Sequence, residues 1–223
     1  MIVILFGPPC AGKGTQAKLL SSYLASEHIS TGDLLRQHVR NGSALGEKAK
    51  SYMDKGELVP DELVTDMVSD YIQKLDKRKG FILDGYPRTY VQAEILSEIL
   101  DGMGRSVDVA VYLKTDKEVI VRRLIGRRMC KKCGRIYHIE TMPPKNDMVC
   151  DDCNITLDQR HDDAEATVLN RLAVYLKQST PVLDYYEKKA LLKKISANLD
   201  AHSVFVSLKN VLFHQRKAKQ EER

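Results

Sequence analysis

The first fifteen residues, MIVILFGPPCAGKGT, constrain this chain more than any other stretch. Ile2 to Phe6 is an unbroken apolar run, which suits a strand buried on both faces of a parallel sheet. Gly7-Pro8-Pro9-Cys10-Ala11-Gly12-Lys13 follows, with glycine, four residues, glycine and lysine in the spacing of a phosphate-binding loop. Thr15 to Tyr23 then has helical spacing, apolar at Ala17, Leu20 and Leu24 around Gln16 and Lys18. Strand, glycine loop and helix in that order aim successive backbone N–H groups and the positive end of the helix dipole at one point. The Lys13 ammonium adds a full charge there. The strict pattern sets Ser or Thr directly after the lysine; here Gly14 intervenes and Thr15 carries the hydroxyl. A glycine turn with no ligand is the competing reading, and it requires nothing of Lys13.

Downstream, strand-like and helical stretches alternate, which predicts a parallel sheet covered on both faces. His28-Ile29-Ser30 reads as a short strand leading into Thr31-Gly32-Asp33-Leu34-Leu35-Arg36, where Thr31 or Asp33 can cap a helix. Residues 31–60 hold short helical pieces broken by Gly42, Gly46, Gly56 and Pro60, more like an insertion than another strand–helix unit. Asp61 to Leu75 reads as an amphipathic helix capped by Asp61. Phe81 to Asp84 is a strand ending in a carboxylate, followed by Gly85-Tyr86-Pro87-Arg88. Such an Asp commonly serves Mg²⁺ through water in phosphate-loop proteins; a bare Asp is more often a helix cap. A helix near Tyr90–Leu100, a strand at Val107–Leu113 and a helix from Lys117 to Arg128 follow. Ala164–Lys189 is helical with a break expected at Pro181. Leu191–Ile195 is the last strand and Ala201–Lys217 the last helix, with His214–Arg223 read as a frayed polar tail.

One stretch breaks the alternation. Cys130-Lys131-Lys132-Cys133 and Cys150-Asp151-Asp152-Cys153 are two C-x-x-C pairs separated by sixteen residues. That spacing reads as a zinc site, and four thiolates fill a tetrahedral shell with no position left for water, so the metal's role is structural. Two disulfides, or a zinc ribbon gripping nucleic acid through Lys131, Lys132 and Arg135, are the alternatives.

Composition narrows the classes. Charged residues are 29% and only 20 of 223 residues are Pro or Gly, against wholesale disorder. No apolar run approaches the roughly 18 residues of a membrane span, and the N-terminal run ends in the phosphate loop rather than a cleavage site. A cytoplasmic protein with no membrane partner is therefore expected. The net charge of +5 is spread over motif positions rather than gathered in a block. That suits a polyanionic small ligand as well as nucleic acid, and no aromatics interleave the basic residues to stack bases.

Taken together, GPPCAGKGTQ, TGDLLR, DGYPRT, GRR and RHDD…R run in the order found in adenylate kinases, and the chain resembles the long-lid, zinc-containing bacterial type over essentially its whole length. The resemblance implies a phosphate-loop NTPase-like α/β fold, a parallel five-stranded sheet flanked by helices. Residues 1–30, 60–126 and 164–223 would form the core, 31–59 a helical insertion binding the nucleoside monophosphate, and 127–163 a zinc-bearing lid. The implied activity is reversible Mg²⁺-dependent phosphoryl transfer, ATP + AMP = 2 ADP, in adenine nucleotide homeostasis, by a monomer with no nucleic-acid partner. A kinase of UMP or CMP is the nearest alternative, a zinc-ribbon nucleic-acid-dependent NTPase the distant one.

By the same resemblance, Thr31, Arg36, Glu57, Leu58, Val59, Gly85, Tyr86, Pro87, Arg88 and Gln92 hold AMP, joined by Arg160 and Arg171. Cys10, Ala11, Gly12, Lys13, Gly14, Thr15, Arg127, Ile136, Tyr137 and Asn198 hold ATP. Lys13, Arg88, Arg123, Arg160 and Arg171 act on the phosphates in transfer. Cys130, Cys133, Cys150 and Cys153 hold Zn²⁺, and Asp33 and Asp84 order the waters of Mg²⁺. The chain departs from the family at Cys10, where a small residue without a thiol is usual. It departs again at Ser196-Ala197-Asn198, where a glycine often meets adenine, and in its basic tail.

Overall fold

The computed structural model describes residues 1–76, 78–159 and 165–221. Strand β1 (Ile2–Phe6) lies at the middle of a five-stranded parallel sheet of order β2-β3-β1-β4-β7, with β2 at Glu27–Ser30, β3 at Phe81–Asp84, β4 at Val109–Lys114 and β7 at Leu192–Ser196. Ile4 sits opposite Leu83 on one side and Ala110 on the other. All five residues of β1 are buried because both faces are covered. Ile2, Ile4 and Phe6 point into one apolar cluster while Val3 and Leu5 point into another, the two-residue alternation of a strand. Each wholly buried Ile or Leu here contributes about 1.5–3 kcal/mol to folding.

The faces are covered unequally. Helices α1 (Lys13–Leu24) and α8 (Ala201–Glu221) cover one through Ala17, Leu20, Val204, Leu208 and Leu212. Helices α2 (Thr31–Arg40), α3 (Ala44–Lys55), α4 (Asp61–Gln73), α5 (Tyr90–Asp101) and α7 (Glu165–Lys188) cover the other. The chain leaves β1 toward β2, returns as β3 beside β1, then continues as β4 on β1's far side. The strand order thus reverses direction at β1, and the loop carrying Lys13 opens at that switch point, where ligands bind in open α/β sheets.

Between α6 (Lys117–Ile125) and α7 stands a separate hairpin, β5 (Arg127–Met129) paired antiparallel with β6 (Ile136–His138). Local structure departs from the sequence reading in three helices and two caps. The helix expected to run to Arg128 stops at Ile125, because the Gly126 carbonyl accepts the Ile139 N–H at 2.9 Å and Arg127 and Arg128 pair as strand with His138 and Tyr137. Helix α7 runs through Pro181 unbroken, held by Val182 and Tyr186, which are buried against the sheet just after it. Helix α8 continues to Glu221, so the segment from His214 to Glu221 is helical rather than frayed. Caps also differ. Ser30, not Thr31 or Asp33, caps α2 by accepting from the Asp33 N–H. Pro60 occupies the cap of α4, leaving the Asp61 carboxylate for other partners.

Candidate active site

Phe6 ends β1 and the chain turns through Gly7 into the loop. A Cβ on Gly7 would meet Ala11 and the Leu113 carbonyl at 3.1 Å. Gly12, at φ +92°, caps α1 in a left-handed conformation that suits glycine and supplies no side chain, so the first N–H groups of α1 stay open to an anion. Lys13 folds back over the loop mouth, its Nζ donating to the carbonyls of Gly7 and Pro8 at 2.7 and 2.9 Å. Desolvation lowers its pKa to about 8, with Arg88 and Arg171 adding to the effect and Asp84 opposing it. Arg123, from α6, donates to Ala11 O at 3.3 Å and Leu199 O at 2.7 Å, tying the loop to the segment after β7.

A second group of residues comes from the end of β3. Asp84, nearly buried, lies beside Gly14, where a Cβ would stand 3.3 Å from its Oδ2, and His28 Nε2 is 3.4 Å from the same oxygen. Gly85 has φ +83°, and a Cβ there would meet Thr31 Oγ1 at 2.8 Å and Arg88 Nη2 at 3.1 Å. Thr31 Oγ1 and Arg88 Nε both donate to Gly85 O, at 3.0 and 2.9 Å. Burial, with Arg171 and Arg36 nearby, brings the Arg88 guanidinium down to about 10 despite Asp84. Arg36 pairs with Asp33 at 2.7 Å.

These groups line two clefts. The larger, about 370 Å³, is walled by the phosphate loop from Cys10 to Thr15, by Asp33 and Asp84, by Arg123 and Arg127, by Ile136 and Tyr137 of the hairpin, and by Asn198. The smaller, about 120 Å³, is lined by Thr31, Glu57, Leu58, Val59, Pro87 and Gln92, with apolar walls from Leu35, Met53 and Val64. Lys13, Arg36, Gly85, Arg88 and Arg171 belong to both. Four cations therefore form the wall where the clefts meet, brought there by α1, α2, the β3–α5 turn and α7.

Of the residues named from the sequence, Tyr86 lies outside both clefts, while Asn198 and Tyr137 line the larger cleft and hold further partners as well. Tyr86 is buried in the core, its hydroxyl shared with Thr65 and the Gln92 carbonyl, and lines neither cleft. Asn198 lines the larger cleft while its amide clasps Asp116, accepting from the backbone N–H at 2.9 Å and donating to the carboxylate at 2.7 Å. The Tyr137 hydroxyl turns toward the cysteines, donating to Cys150 Sγ at 3.5 Å and accepting from the Asp151 N–H at 2.9 Å. Arg160 lies outside the described residues. Others escaped the sequence reading. Asn170 donates to Lys55 O at 2.7 Å, fastening α3 to α7, and Tyr175 and Gln178 of α7 line the smaller cleft. Ordinary helix positions such as these carry no motif.

In the hairpin, the sulfurs of Cys130, Cys133, Cys150 and Cys153 all lie within 4.8 Å of one another. The Cys133 and Cys150 sulfurs are 3.7 Å apart, and none of the four is in a disulfide. A Zn–S bond of about 2.3 Å gives a tetrahedron with edges near 3.8 Å, whereas an S–S bond is about 2.05 Å. Donor set and spacing fit a closed, structural zinc.

A sequence model of the family described as Adenylate kinase matches residues 5–191. An adenylate kinase of Methanocella arvoryzae is 52% identical over 209 residues, covering 94% of this chain and 97% of that protein. Those of Kosmotoga olearia and Clostridium acetobutylicum are 48% and 50% identical, each across 95% of this chain and 100% and 99% of their own lengths. The chain belongs to the adenylate kinase family. Against that family, the switch-point loop, the shared cationic wall and the four-cysteine hairpin fall into one arrangement on one chain. Among the described residues no helix is long and apolar enough to cross a membrane.

Proposed function

We propose that the larger cleft takes ATP, the smaller takes AMP, and the protein interconverts ATP plus AMP with two ADP. The observation that carries this is the wall common to both clefts, Lys13, Arg36, Arg88 and Arg171. A phosphoryl group leaving one cleft would enter the other at that wall without crossing bulk water.

The acceptor is a phosphate monoester, already ionised near neutral pH, so no general base is needed. What remains is to align two polyanions, offset their repulsion and stabilise charge on the transferring group. Lys13 and the open N–H groups of α1 hold the donor phosphates. Arg123 braces the loop and Arg127 contributes from the hairpin side. Arg36, Arg88 and Arg171 face the junction, where planar guanidinium forks bridge two oxygens in a way an ammonium does not. Arg160 completes this set by resemblance. Asp33 and Asp84, which both line the larger cleft, would hold Mg²⁺ through its waters, and that ion would neutralise charge on the donor phosphates.

We assign residues 31–59 as a flap over AMP and 127–163 as a lid over ATP, on a core formed by the remainder. The flap touches α7 through Gly56, whose Cβ position is 2.8 Å from Thr167 O, and the hairpin reaches α1 through a 3.2 Å bond from Lys18 Nζ to Gly134 O. Closure of both keeps water from the phosphates. The zinc holds the lid's shape and has no open position for chemistry. Both clefts are built from one chain, which supports a monomer, and four reduced thiolates support a cytoplasmic setting. The test is ADP formation from MgATP against AMP, GMP, UMP and CMP, with and without RNA. AMP should be strongly preferred and RNA without effect. Preference for a pyrimidine monophosphate, or stimulation by RNA, would overturn the assignment.

A further inference from the structure

Gln92 lines the smaller cleft, and its side-chain amide is held from both ends. Nε2 donates to Asp61 Oδ1 at 2.7 Å, and Oε1 accepts the Arg88 N–H at 2.7 Å. A carboxylate only accepts and a backbone N–H only donates, so the amide has one orientation. Turned over, it would set oxygen against carboxylate and N–H against N–H. Asp61 is itself held, because its second oxygen accepts from Thr89 Oγ1 at 2.8 Å, and Thr89 caps α5 through the Gln92 N–H at 3.2 Å. Asp61 supplies no cap to α4 and lines neither cleft. Its carboxylate is spent on this network.

An amide locked in this way keeps one N–H and one lone pair unused, in a set order. Adenine presents a 6-amino donor beside the N1 acceptor. A 6-oxopurine presents the reverse, an O6 acceptor beside an N1–H donor. One amide orientation complements the first edge and the opposite orientation the second. Sites that hydrogen-bond a base in this way discriminate strongly, since the wrong partner leaves buried groups unpaired.

We propose that Asp61 is a positioning residue for base specificity: by fixing the orientation of the Gln92 amide it selects a 6-aminopurine over a 6-oxopurine monophosphate. This rests on the reading of the smaller cleft as the AMP cleft. Asp61 acts through Gln92 and touches no nucleotide.

The experiment measures kcat/KM for AMP and for IMP at saturating MgATP in the parent, in Asp61→Asn and in Thr89→Val. Asparagine is isosteric but offers an N–H₂ in place of the carboxylate oxygen, which removes one of the two clamps on the Gln92 amide and sets the preference at Asp61 against that of the Arg88 N–H. The AMP-to-IMP ratio should fall by at least roughly tenfold in Asp61→Asn, with AMP losing and IMP gaining. The KM for ATP should stay near the parent's. Thr89→Val, which frees one Asp61 oxygen, should move the ratio the same way by less. A role in packing alone would lower both substrates together and leave the ratio unchanged. A ratio within about twofold of the parent's in both variants overturns the inference. A parent that phosphorylates AMP no better than IMP brings down the cleft assignment as well, whereas an AMP-preferring parent whose variants keep that preference brings down the role of Asp61 alone.

Discussion

Lys13 makes the larger cleft's affinity depend on pH in a direction the structure sets. Its pKa lies at about 8 rather than 10.5, because burial disfavours the ammonium and the Arg88 and Arg171 charges add to this, Asp84 compensating in part. The free protein thus carries the Lys13 charge on about half its molecules at pH 8 and on about one in eleven at pH 9. Triphosphate placed against the ammonium favours the charged form, so ATP binding takes up a proton. The binding contribution is full below pH 8 and declines as pH rises through that value. From pH 7 to pH 9 the dissociation constant for MgATP should rise about tenfold, equivalent to ~1.4 kcal/mol. Stability of the free protein should move the other way. The unfolded chain holds the Lys13 proton up to about 10.5 and the folded chain only to about 8, so this group favours the folded state increasingly across that window. Calorimetric titration with MgATP in two buffers of different ionisation enthalpy reads both affinity and proton uptake. Uptake near pH 8 should be roughly half a proton. In Lys13→Arg, where the side chain stays charged, the dependence between pH 7 and pH 9 should vanish. A parent affinity flat over that range, or proton release on binding, would refute the reasoning.

Three further expectations follow from single residues. Arg88→Lys keeps a charge but loses the Nε anchor on Gly85 O, so kcat should fall at least about tenfold, ~1.4 kcal/mol in the barrier, with the melting temperature little changed; near-normal turnover removes Arg88 from the transfer machinery. The protein should carry one zinc per chain, and Cys150→Ala, which empties a buried corner of the cluster, should lower the melting temperature and impair turnover through the loosened lid; metal analysis without zinc, together with thiol titration showing two disulfides, would contradict this. Cys10 faces the larger cleft at φ +62°, so a thiol reagent should inactivate with one label per chain and be slowed by ATP, while Cys10→Gly, which suits that backbone, should stay active and resist; equal inactivation of that variant would place the sensitive thiol in the lid.

What was legible in the sequence was whatever depends on neighbours along the chain. Ile2–Phe6 with Gly7 and Gly12 announced both the strand and the loop, and the two C-x-x-C pairs announced the metal cluster, because local spacing dictates each. The roles set by distant partners were hidden. A carboxylate following Pro60 looks like a helix cap, yet Asp61 bonds to Gln92, 31 residues away. Pro181 looks like a break, yet burial of Val182 and Tyr186 outweighs the missing hydrogen bond. Gly126 gave no warning that Arg127 and Arg128 would leave the helix to pair with Tyr137 and His138. The shared cationic wall needs α7 to carry Arg171 across the sheet to Lys13, a matter of topology that no local pattern encodes.

The central claim is direct transfer between two joined clefts, and initial rates with ATP and AMP varied together test it most directly. Double-reciprocal plots should intersect, ADP should appear as two molecules per ATP consumed, and ATP alone should be hydrolysed negligibly. Parallel lines, indicating a phosphorylated enzyme, or ADP formation from ATP at an undiminished rate without AMP, would contradict it.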